Sequence, residues 1–126
     1  MLKRVLIIGA IVLVAGLAGF GLLHRSSTPV ATAQELASAV STNQVKIADY
    51  MFVPMTVKVK PGTTVTWTNM DMVHHSVTAD TISPNAPNGP LIGKGQTYSF
   101  TFKKAGVYTF HCQPHPFMHG TIIVTN

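Results

Sequence analysis

Cysteine is nearly absent: the 126 residues contain one, Cys112. That excludes an intramolecular disulfide framework and any site needing two thiolates from one chain. All-cysteine zinc sites, the usual iron–sulfur clusters and a two-thiolate dinuclear copper centre are therefore excluded for a single chain. Charge is scarce as well. Asp, Glu, Lys and Arg make up only 10% of the residues, and only four are acidic. Nine residues are basic, but Lys3, Arg4 and Arg25 flank a single apolar run. The six remaining lysines stand against the four acids, so the body of the protein carries a net charge of only +2. No cluster of Arg or Lys interleaved with aromatics exists, which sets aside nucleic acid as a partner. What the chain has in quantity is apolar residues, 46% of the total, too many for a disordered chain. Six histidines and six methionines complete the unusual part of the inventory.

The apolar weight is uneven. Val5 to Leu23 is an uncharged run of 19 residues preceded by Lys3-Arg4. That pattern marks an export signal or a membrane anchor. The run is close to the roughly 20 residues that span a bilayer as a helix. The best small-x-small cleavage match, Ala31-Thr32-Ala33, lies well past Leu23, with Arg25 in between. Both features favour a retained anchor, whereas Gly9, Gly16, Gly19 and Gly21 weaken the helix and keep a cleaved signal open. In either case Lys3 and Arg4 stay cytoplasmic and the body is exported to the periplasmic side. Residues 1–25 are thus a signal or anchor segment built on a hydrophobic helix. Residues 26–44 are read as a flexible tether, because 11 of the 19 are Ser, Thr or Ala and Pro29 stops a continuing helix. A helical turn over Glu35 to Val40, after Thr32, is the other reading of that stretch.

From Val45 to Asn126 the pattern changes to period two. Met55 to Lys60 alternates apolar side chains with Thr or Lys, and Pro61-Gly62 marks a turn. Thr63 to Asn69 is a β-branched run around Trp67. Ser76-Val77-Thr78 begins another strand, and Ala79 to Gln96 is a long irregular connection rich in Pro and Gly. Tyr98 to Phe102 alternates cleanly, Val107 to Cys112 runs back, and Thr121 to Thr125 closes the domain. Short strands with frequent turn signals and no helical period predict an all-β sandwich or barrel. A domain this small, with no disulfide, is a candidate for stabilisation by a bound metal.

The chemistry concentrates in His111-Cys112-Gln113-Pro114-His115-Pro116-Phe117-Met118-His119. Cys112, His115 and Met118 are three apart, and Pro114 and Pro116 stiffen the backbone between them. A thiolate, an imidazole and a thioether on one rigid loop are a soft donor set. Two His, one Cys and a weak axial Met suit a mononuclear blue-copper site. Zinc fits less well, since its sites do not use a thioether. The second imidazole has to come from elsewhere, and His74 and His75 lie 38 and 37 residues before the cysteine.

With these residues in place the sequence resembles the cupredoxins, within them the amicyanin/plastocyanin branch, over Val45 to Asn126. Tyr108 to Met118 is similar to the amicyanin ligand loop, with Cys-x-x-His-x-x-Met and prolines beside the His. Thr64 to Asn69 resembles the strand before the family's first His ligand, and His75-Ser76-Val77 fits the motif that follows it. The resemblance implies a Greek-key β-sandwich. It also implies one copper ion per chain, held by His75, Cys112, His115 and Met118, with His75 preferred over His74. By the same resemblance His115 is the electron port, and Pro114, Pro116 and Phe117, with Val73, form an apolar docking patch around it. Two departures stand out. Ser76 replaces the usual Asn that ties the two ligand loops, and its shorter side chain predicts a looser tie. His74 stands where Pro is common.

The implied function is an exported carrier of single electrons between transient partners, by family resemblance a dehydrogenase and a c-type cytochrome. The expected state is a monomer, joined to the membrane through the N-terminal segment if that is retained. A saturated four-ligand site leaves no position for substrate, which argues against an enzyme. His111 lies beside the cysteine, where multicopper oxidases and nitrite reductases place a ligand to further copper. The few other histidines do not suffice for a three-copper cluster, so His111 is read as structural and His119 as a surface residue. The competing function is a copper delivery or storage module, for which Met51, Met70, Met72, His74 and His119 supply extra donors.

Overall fold

The computed structural model describes residues 29–126, and the apolar run and its anchor or signal assignment lie outside them. Among the described residues no helix is long and apolar enough to cross a membrane. The chain folds as a two-sheet β-sandwich. Among the described residues one helix, α1 (Ala33–Ser38), precedes nine strands: β1 (Val40–Ser41), β2 (Gln44–Ala48), β3 (Met51–Val53), β4 (Thr56–Val59), β5 (Thr63–Asn69), β6 (Thr78–Ala79), β7 (Thr97–Phe102), β8 (Gly106–His111) and β9 (His119–Val124). The first sheet has the order β1-β4-β9-β8-β6 and the second β3-β2-β5-β7. Both sheets are mixed: the pairs β1 with β4, β4 with β9 and β2 with β5 are parallel, and the others are antiparallel.

The period-two segments become strands because each buries one face. Val45 and Ile47 of β2, Val57 and Val59 of β4, and Val65 and Trp67 of β5 point into the space between the sheets. Phe52, Phe102, Phe110 and Ile122 join them from β3, β7, β8 and β9. The aromatic rings pack edge to face, with Phe52 and Phe110 centroids 4.8 Å apart and Trp67 and Phe110 5.5 Å apart. Burying each such side chain is worth about 1.5–3 kcal/mol. Cys112 and Met118 belong to this same cluster, so the loop they bound is anchored in the core at both ends.

Residues 33–41, read from composition as tether, carry a capped helical turn and a short strand. Thr32 Oγ1 accepts the Glu35 amide at 3.2 Å, and the Glu35 carboxylate accepts the Thr32 amide at 2.8 Å. This reciprocal capping box satisfies two amides that a helix start otherwise leaves open. β1 then pairs with β4, Val40 opposite Val57. Two further departures are local. The strand expected from Ser76 is reduced to Thr78–Ala79, since His75 and Thr78 instead form single bridges to Ile92 and Asn88 of the long connection. β3, too short to show a period, pairs with β2 through a turn in which Asp49 and Tyr50 both have positive φ, 52° and 57°.

Candidate metal centre

The antiparallel pairing of β8 with β9 holds the ligand loop at its two ends. Within it two successive turns run in series. The His115 amide donates to the Cys112 carbonyl at 3.2 Å, and the Met118 amide to the His115 carbonyl at 2.9 Å. The spacing of three is thus the spacing of two linked β-turns, and Pro116 occupies the second position of the latter, where its fixed φ is favourable. The Cys112 amide closes the loop on the Met118 carbonyl at 3.1 Å.

Three donors converge. The Cys112 Sγ lies 3.5 Å from Nδ1 of His75 and 3.5 Å from Nδ1 of His115. The three donor atoms all fall within 4.8 Å of one another. His75 and Cys112 are fully buried, His115 is half-buried, and Met118 is buried at the far end of the loop. His74, the other sequence candidate, is exposed and its ring lies against Gly93. The donor set is a thiol and two imidazole nitrogens facing a common point, with a thioether on the same loop. It fits a soft transition-metal ion, copper above all. Ser76 contributes twice. Its amide donates to Cys112 Sγ at 3.4 Å, and its Oγ accepts the Gln113 amide at 2.8 Å. The tie between the two ligand segments is therefore made despite the short side chain.

Sequence reasoning missed three supporting residues. The Asp71 carboxylate accepts from His75 Nε2 at 2.8 Å, which turns Nδ1 of that ring toward the sulfur. The same carboxylate accepts the Asp49 amide at 2.8 Å and the Tyr50 amide at 3.0 Å, fastening the left-handed β2–β3 turn to the first ligand segment. Burial works to raise the Asp71 pKa, but these amide bonds and His75 outweigh it and hold the carboxyl below its ordinary value. Tyr50, so fixed, packs edge-on against both His115 and His75, at centroid distances of 5.0 and 5.5 Å. Asn69, fully buried, accepts the Asp71 amide and donates to the carbonyls of Val73 and Ile92. Asp71 lies four residues from His75, but a lone Asp in a turn carries no sign of that bond, and the amides that fix its carboxylate lie 21 and 22 residues away. Asn69 at a strand end was the only available hint, a polar residue on the inward face of β5.

Residues 39–125 match the family of copper binding proteins of the plastocyanin/azurin type. The chain belongs to this cupredoxin family, whose class is the type 1 copper electron carrier with one copper per chain. Within it the chain is similar to amicyanins. It is 40% identical to amicyanin of Paracoccus denitrificans over 101 residues, covering 79% of this chain and 75% of the relative. It is 36% identical to amicyanin-alpha of Methylorubrum extorquens over 118 residues, covering 91% and 98%. The structure of a reduced mutant of amicyanin superposes with a TM-score of 0.61 at 38% identity, covering 72% of this chain and 89% of the other.

Proposed function

We propose that the chain is an exported, amicyanin-like electron carrier whose copper is held by Nδ1 of His75, Sγ of Cys112, Nδ1 of His115 and the thioether of Met118. The observation that carries this reading is the convergence of three donor atoms within 4.8 Å of one another. Copper, when bound, supplies a one-electron couple. The protein's part is to hold the donors in one arrangement for both oxidation states. The loop does this through its linked turns, and Asp71 and Ser76 do it from outside. A fixed set limits the movement that accompanies electron transfer. Backbone N–H donation from Ser76 to the sulfur stabilises thiolate charge and helps set the potential.

His115 is the group through which electrons leave, since it is the ligand with exposed surface. Phe117, 69% exposed, and the exposed Pro114 and Pro116 surround it with an apolar rim. A small apolar contact of this kind suits a transient partner. By likeness to amicyanins the partners are a dehydrogenase and a c-type cytochrome. Residues 1–25 deliver the domain across the membrane and, if retained, hold it there; the tether ends before the capped turn at Ala33, and the carrier domain takes in β1 and β2 as well as residues 45–126. A copper delivery or storage role is the second reading, supported by the exposed thioethers of Met51, Met55, Met70 and Met72.

The test is a visible spectrum of the copper(II)-loaded protein. An intense thiolate-to-copper band that bleaches on reduction is expected, and it disappears in Cys112→Ser. Persistence of the band in that variant refutes the ligand assignment. Tight copper binding with no such band, and ready release of copper(I) to a chelator, favours storage or delivery.

A further inference from the structure

A second grouping of donor side chains lies on the outer face of the five-stranded sheet. The β8–β9 register sets His111 directly opposite His119. Their neighbours fix which way they point. Phe110 is buried in the core, so His111 projects outward, and His119 is exposed beside the buried Gly120. Side chains directly opposite on antiparallel strands have Cβ atoms about 4.5–5.5 Å apart. At that separation His119, turning about its own side-chain bonds, can bring a nitrogen to an ion held at His111. The residue just past β6, Asp80, adds a carboxylate. Ala79 pairs with Phe110, and the Asp80 amide donates to the Thr109 carbonyl at 3.0 Å. Asp80 Oδ1 then sits 2.6 Å from His111 Nδ1.

This reproduces the device seen at the first site. There a carboxylate holds one nitrogen of His75 and presents the other; here Asp80 holds Nδ1 of His111 and leaves Nε2 to face outward. We propose that His111 Nε2 and His119 bind a divalent first-row cation, with Asp80 as the carboxylate that orients His111. Burial favours raising the Asp80 pKa, yet hydrogen bonds from His111 and Thr109 and the proximity of both histidines hold it below its ordinary value. With the Asp80 carboxylate against Nδ1, Nε2 is the nitrogen of His111 left available to a metal. Both side chains of the His111–Asp80 pair keep exposure to solvent, 28% and 38%, so an ion has access and water fills its remaining positions. Paired imidazoles select Zn²⁺ and Cu²⁺ over Mg²⁺ or Ca²⁺, and Cu²⁺ binds most tightly in the first-row order. The site shares no ligand with the Cys112 centre, so it works whether or not that centre is filled.

The experiment uses the full-length chain loaded with one equivalent of copper. Zn²⁺ is then titrated against a chromophoric chelator, and the imidazole C–H resonances are followed in the copper(I) form. One further equivalent is expected, with shifts at His111 and His119. His119→Gln should abolish saturable uptake of that equivalent. Asp80→Asn should weaken it about 10–100-fold, the usual effect of removing such an orienting carboxylate. The blue band should be unchanged in both variants, which shows that each is folded. Failure to take up a further equivalent overturns the proposal. So does a further equivalent whose affinity is the same in wild type and both variants, because the ion is then held elsewhere. The blue band tests the first site separately: its absence, with the second equivalent still lost in His119→Gln, removes the electron-carrier reading and leaves this one standing.

Discussion

Replacing Ser76 by Ala isolates the link between the two ligand segments. The hydroxyl accepts the Gln113 amide at 2.8 Å and pairs with Thr78 Oγ1 at 2.9 Å, and Ser76 is 1% exposed. Its methyl replacement fits the same space but leaves the Gln113 amide without an acceptor. An unmet buried donor costs about 1–3 kcal/mol. The amide is only partly buried, so the lower half of that range, about 1–2 kcal/mol, is expected. For a domain of this size each kcal/mol moves Tm by about 4–8 °C, which gives a fall of roughly 5–15 °C in copper-free protein. Thermal unfolding followed by far-UV circular dichroism reads this directly. Thr78→Ala is the control. It removes the hydroxyl partner of Ser76 but keeps the acceptor for Gln113, and should cost under about 1 kcal/mol. Copper loss to a chelator should also quicken in Ser76→Ala, while the blue band stays, since the backbone amide of residue 76 still reaches the sulfur. A Tm within about 2 °C of wild type would show that water replaces the hydroxyl and that the link is not structural.

Asp71→Asn keeps an acceptor beside His75 but removes its charge, and should lower copper affinity about 10–100-fold in a chelator competition. Gly120→Ala places a methyl against the ring of the buried Phe110, 2.6 Å from Cε2 and 3.0 Å from Cε1. Overpacking of this kind costs about 1–3 kcal/mol, read as a lower urea midpoint with an unchanged slope. Copper-free protein should also lose stability in acid. Asp71 and Asp80 have folded pKa values below their unfolded ones, so their contribution is complete above about pH 4 and disappears as pH falls through the folded values. Urea midpoints between pH 6 and 3 measure this, and Asp80→Asn should flatten the decline.

Much of this protein is legible in its sequence because the information is local. Alternation names the inward residues of β2, β4, β5 and β7, since a strand's side chains have a period of two. The spacing of Cys112, His115 and Met118 encodes two linked turns, and the donor types alone select a soft metal. What the sequence withholds is whatever depends on register. Capping decides that residues 33–38 form a helical turn, and the Thr32–Glu35 signature was present but outweighed by composition. The choice of His75 over His74 came from resemblance, and its physical basis is that one ring is buried against the sulfur while its neighbour is turned outward. Asp71 is placed under His75 by the turn that joins β2 to β3 and by the buried Asn69. The pairing of β8 with β9 alone puts His111 beside His119, eight residues away along the chain. Donor chemistry and strand period belong to the residues themselves, whereas the aim of each imidazole is fixed by hydrogen bonds that form only when distant strands meet.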